Sequence, residues 1–154
     1  MENAIQTTVL GGGSFGTTMA QVLAENGHPV RLWMRSVEQA ETIRRTRINH
    51  QYFPDLELHS RIEPTTDMGA AIEQAELVFV ALPSKVFREV IRGAADHFSE
   101  QQMVVSLTKG IERDGFRLMS QVLTEELPGV SVGVLSGPNL AGELVQHEIT
   151  ASVI

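Results

Sequence analysis

Short apolar runs alternate with helical segments along the whole chain, which predicts an α/β fold, a doubly wound and mostly parallel sheet with helices on both faces. Three observations carry this expectation. A strand-like run breaks into glycines and leads straight into a helical pattern. Residues 77–82 are apolar without alternation, as a parallel strand buried on both faces is, and 102–107 read as another buried strand. Each later run is followed by a turn signal and another helical segment, which makes residues 1–154 a single domain.

The first unit spells Thr7-Thr8-Val9-Leu10-Gly11-Gly12-Gly13-Ser14-Phe15-Gly16. Its Gly11-x-Gly13-x-x-Gly16 spacing is the dinucleotide fingerprint of Rossmann-type folds. The first glycine permits a tight turn, the second lets backbone approach a pyrophosphate, and the third lets helix and strand pack closely. Residues 17–24 read as the following helix, with Gly27 at its end and its first N–H groups aimed at the phosphates. Residues 30–34 read as the second strand. At its end, where an NAD site carries Asp or Glu, stand Arg35 and Ser36. A carboxylate repels a 2′-phosphate, whereas a guanidinium pairs with it and a hydroxyl donates to it, so NADP is favoured or at least admitted. The alternative is a solvated Arg35 with Glu38 folding back as the acid.

Residues 37–47 are polar and helical, and Arg44-Arg45-Thr46-Arg47 reads as a solvated face. Residues 49–55 form an irregular loop whose aromatics, Tyr52 and Phe53, either pack near an adenine or cover the sheet edge. Pro64 marks 62–65 as a strand near an edge, and Thr66-Asp67 caps a helix over 68–74. Residues 77–82 form a central strand. Ser84 then caps a helix over 86–98, with Phe87, Val90, Ile91 and Ala94 on one face. The strand at 102–107 opens into Thr108-Lys109-Gly110-Ile111-Glu112 and a helix over 116–127. Strand 132–135, loop Ser136-Gly137-Pro138-Asn139, helix 140–146 and a strand within 149–154 complete the chain.

The formal charge of -7 argues against nucleic acid or an anionic membrane as partner, since both demand a basic face. The absence of cysteine excludes disulfides, thiolate metal sites and a cysteine nucleophile, and fits a cytoplasmic setting. Met1-Glu2-Asn3-Ala4 lacks the basic and apolar regions of a secretory signal, and no apolar run is long enough to span a bilayer.

Only two lysines occur, Lys85 and Lys109, each just past the end of a predicted strand. Lys109 is the stronger candidate, because Gly110 permits an unusual turn and Glu112 is placed to orient the ammonium. Lys85 is balanced between a surface role and a functional one. In the 136–139 loop, glycine allows close backbone approach, proline fixes the helix start and Asn139 offers an amide. The five histidines, His28, His50, His59, His97 and His147, show no metal-ligand spacing, so no metal site is expected. Neither a nucleophile elbow nor a phosphate loop ending in Gly-Lys-Ser/Thr is present.

Five blocks stand in the order seen in bacterial NAD(P)-dependent glycerol-3-phosphate dehydrogenases, and the chain resembles that family over essentially its whole length. They are Gly11-Gly12-Gly13-Ser14-Phe15-Gly16-Thr17, Leu32-Trp33-Met34-Arg35, Pro83-Ser84-Lys85-Val86-Phe87, Thr108-Lys109-Gly110-Ile111-Glu112 and Ser136-Gly137-Pro138-Asn139-Leu140-Ala141-Gly142-Glu143. The resemblance implies reversible hydride transfer between NADP(H) or NAD(H) and dihydroxyacetone phosphate or sn-glycerol 3-phosphate, a step toward glycerophospholipids. It implies that Gly11, Gly13, Ser14, Phe15, Gly16, Arg35, Tyr52, Ser84, Lys109 and Ala141 hold the cofactor, and that Lys109, Gly137 and Asn139 meet the substrate. It also implies a C-terminal helical domain bearing the main acid/base lysine, which this sequence does not include, so the chain alone is expected to bind cofactor without turnover. A homodimer is expected of the whole protein. The competing readings are a non-catalytic NAD(P)-sensing module and another Rossmann dehydrogenase.

Overall fold

A computed structural model describes residues 4–154; the reading of Met1, Glu2 and Asn3 lies outside the described residues. Six strands form one sheet in the order β3-β2-β1-β4-β5-β6. They are β1 (Thr7–Leu10), β2 (Val30–Trp33), β3 (Ile62–Thr65), β4 (Leu77–Val80), β5 (Met103–Ser106) and β6 (Ser131–Val134). Every pair is parallel. Sequence order reverses between β1 and β4, where a doubly wound sheet opens its binding crevice. Pro64 sits on an edge strand as expected, because proline lacks the N–H a second neighbour needs.

Strand alternation divides the core into two layers. Leu10, Val78, Val80 and Val104 face one side, packing with Phe87, Ile91, Val122 and Leu123. Val9, Leu32, Phe79 and Val105 face the other, with Met19, Ala20, Ala40 and Ile43. The first layer is covered by α3 (Met68–Glu73), α4 (Ser84–Ala94) and α5 (Met119–Glu126), the second by α1 (Ser14–Glu25) and α2 (Val37–Thr46). A short α6 (Ala141–Val145) lies against α1. Burying both faces explains why the inner strand β4 reads as a continuous apolar run. Among the described residues, no helix is long and apolar enough to cross a membrane.

Several local expectations change. Strands were expected to reach 34, 82, 107 and 135; the regular ladders are shorter, yet Met34, Leu107 and Leu135 still donate to Thr65, Val80 and Ser106 carbonyls. Asp67 caps α3 as expected, accepting from the Ala70 N–H at 3.0 Å. Ser84 does not cap α4: it is the first helical residue, Pro83 holds the cap position, and no side-chain cap bond forms. The helix expected from 116 begins at Met119, because Gly115 (φ 111°) and Phe116 (φ 54°) take left-handed conformations in a turn closed by the Ile111–Leu118 bridge. The last expected strand reduces to one antiparallel bridge, Ser136 to Val153. Arg47 is no solvated helix charge, since its guanidinium donates to the Leu58, His59 and Ile62 carbonyls and ties the 58–62 loop to α2.

Candidate functional site

The carboxyl ends of β1, β2, β4 and β5 open on a cleft of about 730 Å³, within the range of small-molecule and cofactor sites. Gly11, Gly12, Gly13, Ser14 and Phe15 form its middle wall. The fingerprint glycines are constrained in different ways. Gly11 has φ 127°, and a Cβ there would lie 2.3 Å from the Ala81 carbonyl oxygen. A Cβ on Gly16 would lie 1.9 Å from the Gly11 oxygen, so these two glycines are required by strand, turn and helix packing. Gly13 is unlike them. Its backbone (φ -80°, ψ -170°) suits any residue, and a Cβ would meet nothing within 4 Å. Protein packing therefore gives no reason for glycine at 13, whereas a ligand pressed against the backbone does. Gly13 also holds the N-cap position of α1 without a side-chain cap, leaving first-turn N–H groups for an anion.

A buried amide network that the sequence reading missed holds this loop. Asn49, fully buried, donates to the Gly12 carbonyl at 3.1 Å and to Thr17 Oγ1 at 2.8 Å. Gln39 donates to the same carbonyl at 2.7 Å and to Asn49 Oδ1 at 3.2 Å. The Asn49 backbone oxygen also accepts from Tyr52 and Phe53, making the turn that brings half-exposed Tyr52 to the cleft. The usable signal was an Asn in a loop that otherwise reads as aromatic and solvent-facing; an Asn side chain can satisfy loop backbone groups that a sheet cannot.

At one end of the cleft lies Arg35, exposed and without an ion pair among the described residues. Ser36 beside it caps α2, accepting from the Gln39 N–H at 3.1 Å. Glu38 lines a smaller neighbouring hollow instead of the cleft.

At the other end Lys109 donates to the Asn139 backbone oxygen at 3.0 Å, and its Nζ lies 5.7 Å from the centre of the Phe15 ring, within cation–π range. Gly110 has the positive φ expected of it, 105°. Glu112 does not orient Lys109 as expected: both its oxygens accept from Arg88. Asn139 is 1% exposed and donates to Ser152 Oγ at 2.7 Å, while its Oδ1 has no partner among the described residues. An orphan acceptor on a cleft wall suits a ligand donor. Ser84, Lys85, Thr108 and Ala141 also line the cleft. Gly137 and Gly16 stand behind it. Gly137 (φ 144°) packs on the Ala151 backbone, where a Cβ would come within 2.5 Å of the oxygen.

Among the described residues, three basic side chains, Arg35, Lys85 and Lys109, line the cleft and no Asp or Glu does, in a chain of formal charge -7. Such segregation focuses positive potential on one crevice. The residues fit a dinucleotide: glycine amides for a pyrophosphate, a guanidinium at the ribose end, and an ammonium at the far end able to stabilise negative charge on a reacting oxygen.

Residues 6–154 match the family described as the N-terminus of NAD-dependent glycerol-3-phosphate dehydrogenase. The chain is 54% identical over 146 residues to a glycerol-3-phosphate dehydrogenase [NAD(P)+] of Pseudomonas syringae pv. tomato, covering 95% of this chain and 42% of the relative. Its counterpart in Saccharophagus degradans is 47% identical over 154 residues, covering all of this chain and 43% of the relative. The crystal structure of the Coxiella burnetii glycerol-3-phosphate dehydrogenase superposes with a TM-score of 0.91 at 31% identity, covering 97% of this chain and 46% of that one. The chain thus spans less than half the length of these relatives. Matched from its glycine loop through its final bridge, it belongs to the NAD-dependent glycerol-3-phosphate dehydrogenase N-terminal family.

Proposed function

We propose that this chain is the dinucleotide-holding part of an NAD(P)-dependent glycerol-3-phosphate dehydrogenase that interconverts dihydroxyacetone phosphate and sn-glycerol 3-phosphate. The observation that carries the reading is a cleft lined, among the described residues, by three cations and no acid, and built around a glycine, Gly13, that packing leaves unexplained. Bound nicotinamide supplies or accepts the hydride. Gly11, Gly13 and Gly16 shape the loop that receives the pyrophosphate, with Ser14 and Phe15 beginning the helix beneath it. Arg35 takes the 2′-phosphate end, Tyr52 flanks the adenine, and Ser84 and Ala141 border the far half. Lys109 orients the nicotinamide side and, with Asn139 and the Gly137 turn, receives the phosphorylated substrate. In the whole protein we assign the reaction to the cytoplasm, in supply of glycerophospholipid precursors, and to a homodimer. An unmatched ammonium at the far end favours hydride chemistry over a sensing module, which has no use for it.

The test is titration of this chain with NADPH and NADH, before and after Arg35→Asp, read by energy transfer from Trp33, the chain's one tryptophan and a residue of the cleft wall. Binding of NADPH weakened by about tenfold or more, with NADH unchanged, is expected. Unchanged NADPH affinity refutes the role of Arg35, and failure of the unaltered chain to bind either cofactor refutes the function.

A further inference from the structure

The loop that carries Lys109 is fastened by charge. Residues 107–118 fold back through the Ile111–Leu118 bridge and the Glu112 N–H to Arg117 carbonyl bond of 2.8 Å. Glu112 then meets Arg88, one turn along α4 from the cleft residues Ser84 and Lys85. The Arg88 guanidinium also reaches Glu125 at 2.7 Å and Glu126 at 2.5 Å, both on α5. Arg92 pairs with Glu126 at 2.9 Å and Arg117 with Glu125 at 3.0 Å. Three guanidiniums thus face three carboxylates, and Lys109 is outside the cluster. Glu112 is held with a side-chain exposure of only 16%.

Lys109 and Glu112 are three positions apart, so their α-carbons are separated by at most about 11 Å, within the combined reach of two long side chains. That short spacing is what made Glu112 the expected partner of Lys109, yet Arg88 occupies both Glu112 oxygens. We propose that Arg88 is a positioning residue which withholds Glu112 from Lys109 and thereby leaves the Lys109 ammonium to the Phe15 and Asn139 edge of the cleft. The inference deepens the dinucleotide reading and rests on it for the ligand that Lys109 meets. If Arg88 is lost, Arg92 and Arg117 remain engaged with Glu126 and Glu125. Exposed Arg113 lies on the adjacent turn, and the released carboxylate competes for Lys109 instead of the ligand.

Arg88→Gln, Glu112→Gln and the double variant of this chain separate withholding from simple bracing. In Arg88→Gln, NADPH should bind about fivefold more weakly, the scale of a partly exposed ion pair gained by the wrong group. Binding of 2′,5′-ADP, which lacks the nicotinamide half, should stay within about twofold, because Arg35 and the glycine loop are untouched. Glu112→Gln and the double variant should bind both ligands as the unaltered chain does. Weakening of both ligands in Arg88→Gln, weakening of neither, or a double variant as weak as Arg88→Gln overturns the proposal. With two lysines in the chain, ¹³Cε-lysine spectra give a readout independent of cofactor. The Lys109 signal should move in Arg88→Gln and return in the double variant. A displacement that persists in the double variant means bracing alone and also overturns the proposal. Absence of NADPH and 2′,5′-ADP binding in the unaltered chain refutes the dinucleotide reading, and the lysine spectra still decide the placement of Glu112.

Discussion

Gly13→Ala separates ligand approach from folding. Gly13 sits at φ -80° and ψ -170°, accessible to alanine, and the added Cβ meets no atom within 4 Å. Restricting the unfolded chain at such a position stabilises by about 0.4–1 kcal/mol. Alanine is a poorer N-cap than glycine by a similar amount, so the two effects nearly cancel. At roughly 2–4 °C per kcal/mol for a domain of this size, Tm should stay within about 2 °C. Binding should behave differently. A methyl group between the loop amides and a pyrophosphate removes at least one charge-assisted hydrogen bond, about 1.5–3 kcal/mol, or roughly 10- to 150-fold in Kd. Gly16→Ala gives the opposite pattern, because its Cβ would lie 1.9 Å from a backbone oxygen that cannot move without opening the β1–α1 turn. A loss of about 3 kcal/mol or more is expected there. Thermal melts followed by circular dichroism, and NADPH titrations through Trp33, measure both quantities. Gly13→Ala binding NADPH like the unaltered chain would remove the argument for a phosphate at that position, and Gly16→Ala melting normally would remove the packing argument.

Asn49→Ala should cost about 2 kcal/mol, or roughly 4–8 °C in Tm, since it takes two donors from a fully buried site and leaves Thr17 Oγ1 without its amide; a change under 1 °C would show that Gln39 alone holds the Gly12 carbonyl. The Glu126 carboxyl is held down to about 2, first by its hydrogen bonds with Arg92 and then by Arg88. A depressed folded value means stability present above the ordinary value of 4.5 and lost as pH falls from there toward about 2. Glu126→Gln should therefore lower Tm equally at pH 7 and pH 6, and by progressively less from about pH 4.5 down to pH 2; a Tm difference constant over that whole range would refute the pairing.

The architecture was legible because the sheet is buried on both faces: runs such as Leu77-Val78-Phe79-Val80 have no polar side to interrupt them. The glycine loop was legible because part of its constraint is local, Gly11 taking φ 127° and a Cβ on Gly16 striking the Gly11 oxygen, while the collision of a Gly11 Cβ with Ala81 only adds to it. What the sequence concealed depends on contacts between distant positions. Asn49 meets Gly12 across 37 residues, and an Asn in an aromatic loop signals that some backbone group is being held but not which one. The start of α5 was misplaced because residues 116–118 have ordinary side chains and are held out of the helix by pairing with 111–112; the Asp114-Gly115 pair was the turn signal available.

Glu112 was assigned to its neighbour in sequence and belongs to a residue 24 positions away. The error has a physical source, since proximity along a chain says which charges can meet but not which meeting leaves the fewest charges unmatched. Arg88 gathers three carboxylates that would otherwise repel one another, which outweighs one pairing between Glu112 and Lys109. The same choice keeps acids away from the cleft. An acidic chain can hold an anionic ligand where its carboxylates stay out of the cleft, and beside Lys109 it is the Arg88 cluster that holds Glu112 out.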